Sequence, residues 1–538
     1  MAGYAAEAGA AAGAGRGRAA RHPPLTSLVV STIAAFSAVV VFAILRSVRA
    51  ASRLFDLTLV VLFLACSIGS ITCGWRRPWR ACVQAYDAAV SRTTTLLGHN
   101  LEPTPWHLFK HDKGRPPARA AFRCAPSLTC RPPVAQPAPG TTNASANASA
   151  APRLCPAYFG AIRRDLAPWR RGGGGVTRAL LDAAQRRASM RVAITGGGRW
   201  LHVELYYACV QSRALFTAWS LLQLMRRYPG RVPDVELMFD CMDRPAINRT
   251  DYGGGGDGDH GSPPPPLFRY CTTRNHFDIP FPDWSFWGWP ETNIEPWSKE
   301  FRDIKEGAKA IKWQERVATA YWKGNPDVAS PLRVALLNCN DTNMWHAEIM
   351  RQNWDEEVKS GYHNSKLSSQ CTHRYKIYAE GFAWSVSLKY ILSCGSMALV
   401  IDPQYEDFFS RGLRPEVNFW PVHIDVAAGG MCESIRDAVE WGEAHPAEAE
   451  AVGRRGQRLM EELDMDAVYD YMLHLLTEYA RLMRFRPAEA PPPRPPAQEV
   501  CEASVLCLAG EKQRRFLEAS AASPAVSEPC VMPPDAGE

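Results

Sequence analysis

Residues Arg374 to Asp402, RYKIYAEGFAWSVSLKYILSCGSMALVID, constrain the fold more than any other stretch of this chain. Tyr375, Ile377 and Ala379 alternate with polar or amphipathic neighbours, the pattern of a half-buried strand. Gly381 frees the backbone to turn, and Ser385 is suited to cap a helix running from Val386 to Leu392. Cys394 and Gly395 end that helix, and Met397 to Ile401 read as a fully buried second strand. Such a unit sets backbone amides at the mouth of a parallel sheet, where nucleotide phosphates prefer to sit. The plainer alternative is an ordinary βαβ unit without a ligand.

The 538 residues have room for two or three domains. A net charge of +6 leaves no basic stripe, which argues against a nucleic-acid partner. Leu25 to Leu45 is apolar enough and long enough for a transmembrane anchor. Leu57 to Cys73 is a shorter, borderline apolar run interrupted by Ser67, Gly69 and Ser70. Sequons at Asn143, Asn147, Asn248 and Asn340, with 13 of 16 cysteines beyond residue 100, favour a luminal body. The expected layout is a disordered cytosolic tail at 1–24, the anchor at 25–45, and an atypical insertion and stem at 46–150 that includes the 57–73 run. Two domains follow, at 151–300 and 301–485, the second closing with helices near Glu433–Glu443, Ala447–Leu463 and Asp466–Met483. Residues 486–538 read as a disordered tail, and Gly253–Pro266 as a flexible surface insertion.

Three segments carry candidate chemistry. Val235–Phe239 is a short apolar strand running into Asp240, Cys241, Met242, Asp243, Arg244 and Pro245. A carboxylate at the carboxyl end of a buried strand faces the ligand crevice of an open α/β sheet, so Asp243 is a candidate general base, with Arg244 keeping it ionised. A lone aspartate there can equally cap the next turn. The second segment gathers Trp284, Phe286, Trp287 and Trp289 between Pro282 and Pro290, giving rings able to stack on sugars or to pin a loop. In the third, Tyr321–Pro326, Lys323 beside Gly324 can bring a positive charge to a phosphate, although most such lysines are merely solvated. P-loop, HExxH and GxSxG motifs are absent, and neither D-x-D match makes a convincing metal site. Asp240 and Asp243 as a glycosidase pair is a rival reading, weakened because three residues apart on a strand end they face opposite ways.

Together, CPAYFGAIRRDLAPW, VELMFDCMDRP, PDWSFWGWPE, AYWKGNPDVASPLR and the 374–402 segment, running on into YEDFFSRGLRPEVNFWPV, resemble glycosyltransferase family 90, in wording like its land-plant branch. The resemblance implies an α/β, GT-B-like fold: two Rossmann-type domains with an inter-domain cleft, here behind an N-terminal transmembrane helix. It implies inverting, metal-independent transfer of a sugar, glucose or xylose, from a UDP-sugar to a hydroxyl of a protein or polysaccharide acceptor, with no cofactor. The family's catalytic aspartate matches Asp243, its diphosphate arginine matches Lys323, and a second family arginine aligns with Ser387. Gly324, Gly381, Trp384 and Ser385 complete the expected donor site, with Trp284, Phe286 and Trp287 on the acceptor or sugar. Family cysteines match Cys371 and Cys394, implying a disulfide. Residues of about 49–85 look inserted relative to the family. Without a Lys-Asp-Glu-Leu-type ending, Golgi membrane is expected over the endoplasmic reticulum. The loss of charge at Ser387 leaves open a sugar-binding protein with weak catalysis.

Overall fold

The computed structural model describes Cys130 and residues 153–170, 174–207, 209–252, 263–425, 430–487 and 498–534, all within one compact unit, Pro103–Glu538. Expectations for residues 1–102, including both apolar runs, lie outside the described residues. No helix among the described residues is long and apolar enough to cross a membrane.

Two sheets organise the unit. The first contains β1 (Met190–Thr195), β2 (Trp200–Leu205), β3 (Val235–Phe239), β4 (Phe268–Arg269), β5 (Ile279–Pro280) and, from the far end of the chain, β11 (Gln498–Val500), in the order β11-β2-β1-β3-β4-β5. It is mixed: β3, β4 and β5 run parallel, whereas β1 is antiparallel to both β2 and β3, and β11 is antiparallel to β2. The second sheet is entirely parallel: β6 (Val317–Gly324), β7 (Ala347–Arg351), β8 (His373–Tyr378), β9 (Met397–Ile401) and β10 (Trp420–Val422), ordered β10-β9-β8-β6-β7. Every residue of β3 and of β9 is buried; β9 is a continuous apolar run, as a strand covered on both faces should be, and the one charge in β3, Glu236, is paired with Arg178 and Arg191. β8 departs from the half-buried expectation. It lies between β6 and β9, and Lys376 and Tyr378 are buried along with Tyr375 and Ile377.

The helices that matter here are α1 (Arg213–Arg227), α2 (Trp297–Lys309), α3 (Pro331–Leu336), α4 (Ser387–Ser393), α5 (Gly430–Ala444), α6 (Pro446–Glu462), α7 (Met465–Leu482), α8 (Glu502–Leu508) and α9 (Glu511–Ala519). Helix α6 presses on the start of β9 at Gly453, where an added Cβ would lie 2.4 Å from the Gly395 carbonyl oxygen. Helix α7 returns from the second half of the chain to pack on α1 and β3. Its buried face of Val468, Tyr471, Met472, Leu475, Leu476 and Tyr479 recurs at helical spacing, so one core cluster continues through both halves.

The C-terminal segment corrects the sequence reading. Residues 498–534, expected to be disordered, form β11, α8 and α9, with Val500, Val505, Phe516 and Leu517 buried. Two disulfides hold the segment to the front of the unit, Cys130–Cys501 and Cys155–Cys530. Low hydrophobic periodicity misleads here because the segment completes a core built by others. β11 covers the open edge of β2, and α8 packs on α1. Likewise, Pro264–Pro266, at the end of the supposed surface insertion, are buried, and Trp169 Nε1 donates to the Pro264 carbonyl at 2.8 Å.

Candidate active site

Strand β3 delivers Asp240 and Asp243 to its carboxyl end, and the Cys209–Cys241 disulfide fixes the turn between them. The two carboxylates are then separated by environment. Asp240 is sealed from solvent between the Arg269 guanidinium and the Tyr207 hydroxyl. Arg269 also lies 3.2 Å from Asp278, whose carboxyl is raised by burial and accepts the Ala246 and Ile247 amides. Asp240 is therefore a structural anchor, and the glycosidase-pair reading fails for want of a second accessible acid. Asp243 keeps a side chain 29% exposed and receives Arg213 Nη1 at 2.5 Å. Arg213 is nearly buried, donates also to the Cys241 carbonyl at 3.3 Å, and stacks 4.1 Å above the Trp284 ring. The partner expected from sequence, Arg244, instead lies over the Phe382 ring at 4.0 Å and donates to the Phe382 carbonyl. The cation paired with Asp243 comes from α1, and adjacency in sequence could not disclose it.

The facing wall is the turn after β8. Glu380 is pushed up to about 7 by burial and accepts the amides of Gln404 and Tyr405 at 3.0 and 2.9 Å. Gly381 is not in the left-handed region; an added Cβ there would meet the Arg333 guanidinium at 3.4 Å. Trp384 is buried against Tyr270 and Trp284, with ring centroids 5.7 and 6.2 Å away. Between the two walls sits Cys271. Its thiol donates to the Asp243 carbonyl at 3.2 Å and is itself contacted by the Trp384 backbone. Burial raises this thiol more than that contact lowers it. Asp243 and the 380–385 turn thus meet at the carboxyl ends of β3 and β8, the place where open α/β sheets bind ligands.

Several expected donor-site features take a different form. Helix α4 begins at Ser387, is seven residues long, and has no side-chain cap. The Ser385 amide donates to the Tyr378 hydroxyl at 3.0 Å and the Ser387 amide to Ser385 Oγ at 3.4 Å, so these two groups are already engaged. Ser385 Oγ also receives Arg333 Nη2 at 3.1 Å. Arg333, which the sequence contained in AYWKGNPDVASPLR without disclosing a role, further donates to the Ala379 and Asn325 carbonyls. It ties the turn after β8 to the end of β6, where Lys323 and Gly324 lie. Lys323 Nζ donates to the Asn364 carbonyl and lies 3.9 Å from Glu357. A Cβ on Gly324 would strike the Trp322 ring at 2.4 Å, so that glycine answers to packing. Lys323, Ser387, Tyr390 and Lys376 share a cavity of about 60 Å³, too small to enclose a nucleotide. Burial holds the Lys376 amine down to about 7.

The aromatic loop is a second correction. Trp284, Phe286 and Trp287 are buried at 2%, 0% and 0% exposure, which leaves no free ring face for a sugar. Trp287 Nε1 donates to the Tyr469 hydroxyl at 2.9 Å, and Phe286 packs on Trp297 and Phe408. Lys389 is buried beside them, 2.8 Å from Ser285 Oγ and 3.4 Å from Asp283. The rings pin the loop and support the platform on which Arg213 lies. Cys371 and Cys394 are joined by a disulfide, tying the start of β8 to the end of α4. Among the described residues, the one grouping of three potential metal ligands is Cys155, His474 and Cys530, and both of its sulfurs are consumed in a disulfide.

Residues 150–538 match the model of the family described as glycosyl transferase family 90. Similar curated proteins include Protein O-glucosyltransferase 1 of Rattus norvegicus, 25% identical over 345 residues, covering 62% of this chain and 81% of the relative. The Homo sapiens protein of that name is 24% identical over the same extent. The O-glucosyltransferase rumi of Drosophila melanogaster is 22% identical over 343 residues, covering 62% and 78%. With a carboxylate held at the carboxyl end of a buried strand and a family match over most of its length, the chain belongs to glycosyl transferase family 90 and is a glycosyltransferase.

Proposed function

We propose that this protein transfers glucose, with xylose as the nearest rival, from a UDP-sugar to a hydroxyl of a protein acceptor by a single inverting displacement that needs no metal. Asp243 takes the proton from the acceptor hydroxyl as its oxygen attacks the anomeric carbon and the bond to UDP breaks. The observation that carries this reading is the unequal environment of the two aspartates after β3. Asp240 is sealed, while Asp243 is open, held by Arg213 and set against the turn after β8. A glucosyl donor and a protein acceptor are taken from the names of the relatives, each of which this chain covers by more than two thirds. The two sheets suit a GT-B-type cleft. Arg333 binds the turn expected to hold the diphosphate, and Lys323, at the end of β6 that Arg333 ties to this turn, must leave Asn364 to reach a phosphate.

On this reading the body lies in the secretory lumen, at a Golgi membrane through residues 25–45; five disulfides seen among the described residues support an oxidising compartment. A second reading, a sugar-binding protein with little turnover, is favoured by one observation, the engagement of Lys323 within the protein. The decisive assay is UDP release by the purified full-length protein and its Asp243→Asn variant, with UDP-glucose and UDP-xylose. The expected outcome is a loss of roughly 10²–10⁴-fold in turnover with UDP affinity kept. Full turnover in the variant overturns the base assignment, and UDP-glucose binding without turnover in either form favours the second reading.

A further inference from the structure

A cavity of about 310 Å³ opens beyond Cys271, within the size range of small-ligand sites and five times the volume beside Lys323. It is built by the segments that follow β4 and β9, with residues 164 and 165 closing one side. Its charges fall into two groups. Asp165 and Glu406 both face Arg411, at 2.5 and 3.1 Å, and Asp278 is held by Arg269 and two backbone amides. Arg164 reaches Glu406 only at 3.4 Å and is largely exposed. Arg249 and Arg274 have no ion pair among the described residues; Arg249 instead lies 4.1 Å over the Phe277 ring. The Thr272 hydroxyl is buried with no hydrogen-bond partner, on a residue only 5% exposed. A buried hydroxyl without a partner costs free energy unless something in the pocket supplies one. His276 completes the wall, its Nδ1 2.6 Å from Thr273 Oγ1. Uncommitted arginines around an unpaired hydroxyl describe an anion site.

Its position says which anion. Thr272 follows Cys271, whose thiol donates to the backbone carbonyl of Asp243, and Asp278 holds the amides of residues 246 and 247, three and four beyond that base. The pocket therefore continues from the proton-accepting side of the site, whereas Lys323 lies at the end of β6 and Arg333 reaches the end of β8 from α3. We infer that this pocket receives an acidic side chain of the acceptor protein, close to the hydroxyl that is modified. The inference rests on the proposed transfer to protein and adds a preference within it.

The test separates the two. A fluorescein-labelled pentapeptide with serine between two glutamates, and its glutamine counterpart, are titrated into the full-length protein at low salt by fluorescence anisotropy. The comparison is with the double variant Arg249→Gln, Arg274→Gln, which changes exposed residues and keeps the Asn248 sequon, and with Thr272→Val. The acidic peptide should bind the native protein at least about tenfold more tightly than the glutamine peptide, and the double variant should erase that difference while UDP affinity stays unchanged. Equal binding of the two peptides to the native protein overturns the inference, as does a preference that survives in the double variant. A loss of UDP affinity in the double variant overturns it in favour of a donor diphosphate site. Binding of glucuronate without peptide discrimination overturns it in favour of an acidic glycan. None of these readings depends on turnover, so a failure of the transferase proposal leaves them intact.

Discussion

Replacing Phe516 by alanine tests whether the C-terminal segment is part of the fold. The ring is fully buried and lies against Gly288 in the aromatic loop, so closely that a Cβ on that glycine would come within 2.6 Å of Phe516 Cδ1. Gly288 has φ +116, a conformation that side chains avoid, so the loop is shaped to receive the ring. Truncating a fully buried phenylalanine costs about 3–5 kcal/mol, counting both transfer and cavity. With an unfolding entropy of about 2.1 cal/mol/K per residue over a unit of this size, that corresponds to a fall of about 3–5 °C in Tm. The wider segment should matter more. Val500, Val505, Phe516 and Leu517 together bury roughly 6–12 kcal/mol of apolar side chain, and Cys130–Cys501 and Cys155–Cys530 close loops of 371 and 375 residues. That total rivals the net stability of a whole domain. Deleting residues 488–538 should therefore abolish accumulation of folded protein, whereas a disordered tail would be removable without effect. Differential scanning fluorimetry on Phe516→Ala, with the yield and protease resistance of the deletion, makes the measurement. A deletion that accumulates normally with unchanged Tm would refute the argument.

Three further outcomes follow from the site. Arg213→Lys keeps the charge beside Asp243 but loses the contact with the Cys241 carbonyl and the flat stacking on Trp284, so kcat/KM should drop by roughly tenfold or more while UDP affinity holds; an unchanged value removes Arg213 from its positioning role. Glu380 is raised by burial to about 7 in the folded protein, above its ordinary value, so the folded state holds the extra proton and this group's contribution is lost as pH rises from about 4.5 through 7. Because His202, His276 and His373 are held low by burial and act in the opposite sense, the quantity to measure is the difference in unfolding free energy between native protein and Glu380→Gln at pH 5.5 and pH 8; it should shift toward the glutamine variant at pH 8, by on the order of 1 kcal/mol, and a difference that stays flat contradicts the assignment. Trp287→Phe removes the bond to the Tyr469 hydroxyl deep in the core, so it should lower Tm without changing KM for the sugar donor; a raised KM with unchanged Tm would return the loop to ligand binding.

Strands of both sheets were legible in the residues, because local patterning and covered surfaces coincide there. The continuous apolar run Met397–Ile401 is buried as a covered strand of the parallel sheet, and the mostly apolar Val235–Phe239 as a strand of the mixed one, both where expected. The amphipathic periodicity of the closing helices placed their bounds within a few residues, at Gly430–Ala444, Pro446–Glu462 and Met465–Leu482. The site was legible only in outline. A strand-end carboxylate can be read from a sequence, but Arg213 reaches Asp243 from 30 positions away, through a helix whose polar first residue looks like any surface arginine. The aromatic cluster misled for a related reason, since composition alone does not distinguish rings that face a ligand from rings that face a core.

The chain's own order therefore determined which segments become strands and helices, and which acidic residue sits at a strand end, since both follow from periodicity over a few neighbours. Tertiary structure alone decided the rest: that Asp240 is silenced by Arg269, that Arg213 rather than Arg244 holds Asp243, and that the last residues complete the first sheet. Those outcomes depend on contacts between residues from about 30 to more than 370 positions apart, where burial and charge are set by what the fold brings near and not by what lies next in the chain.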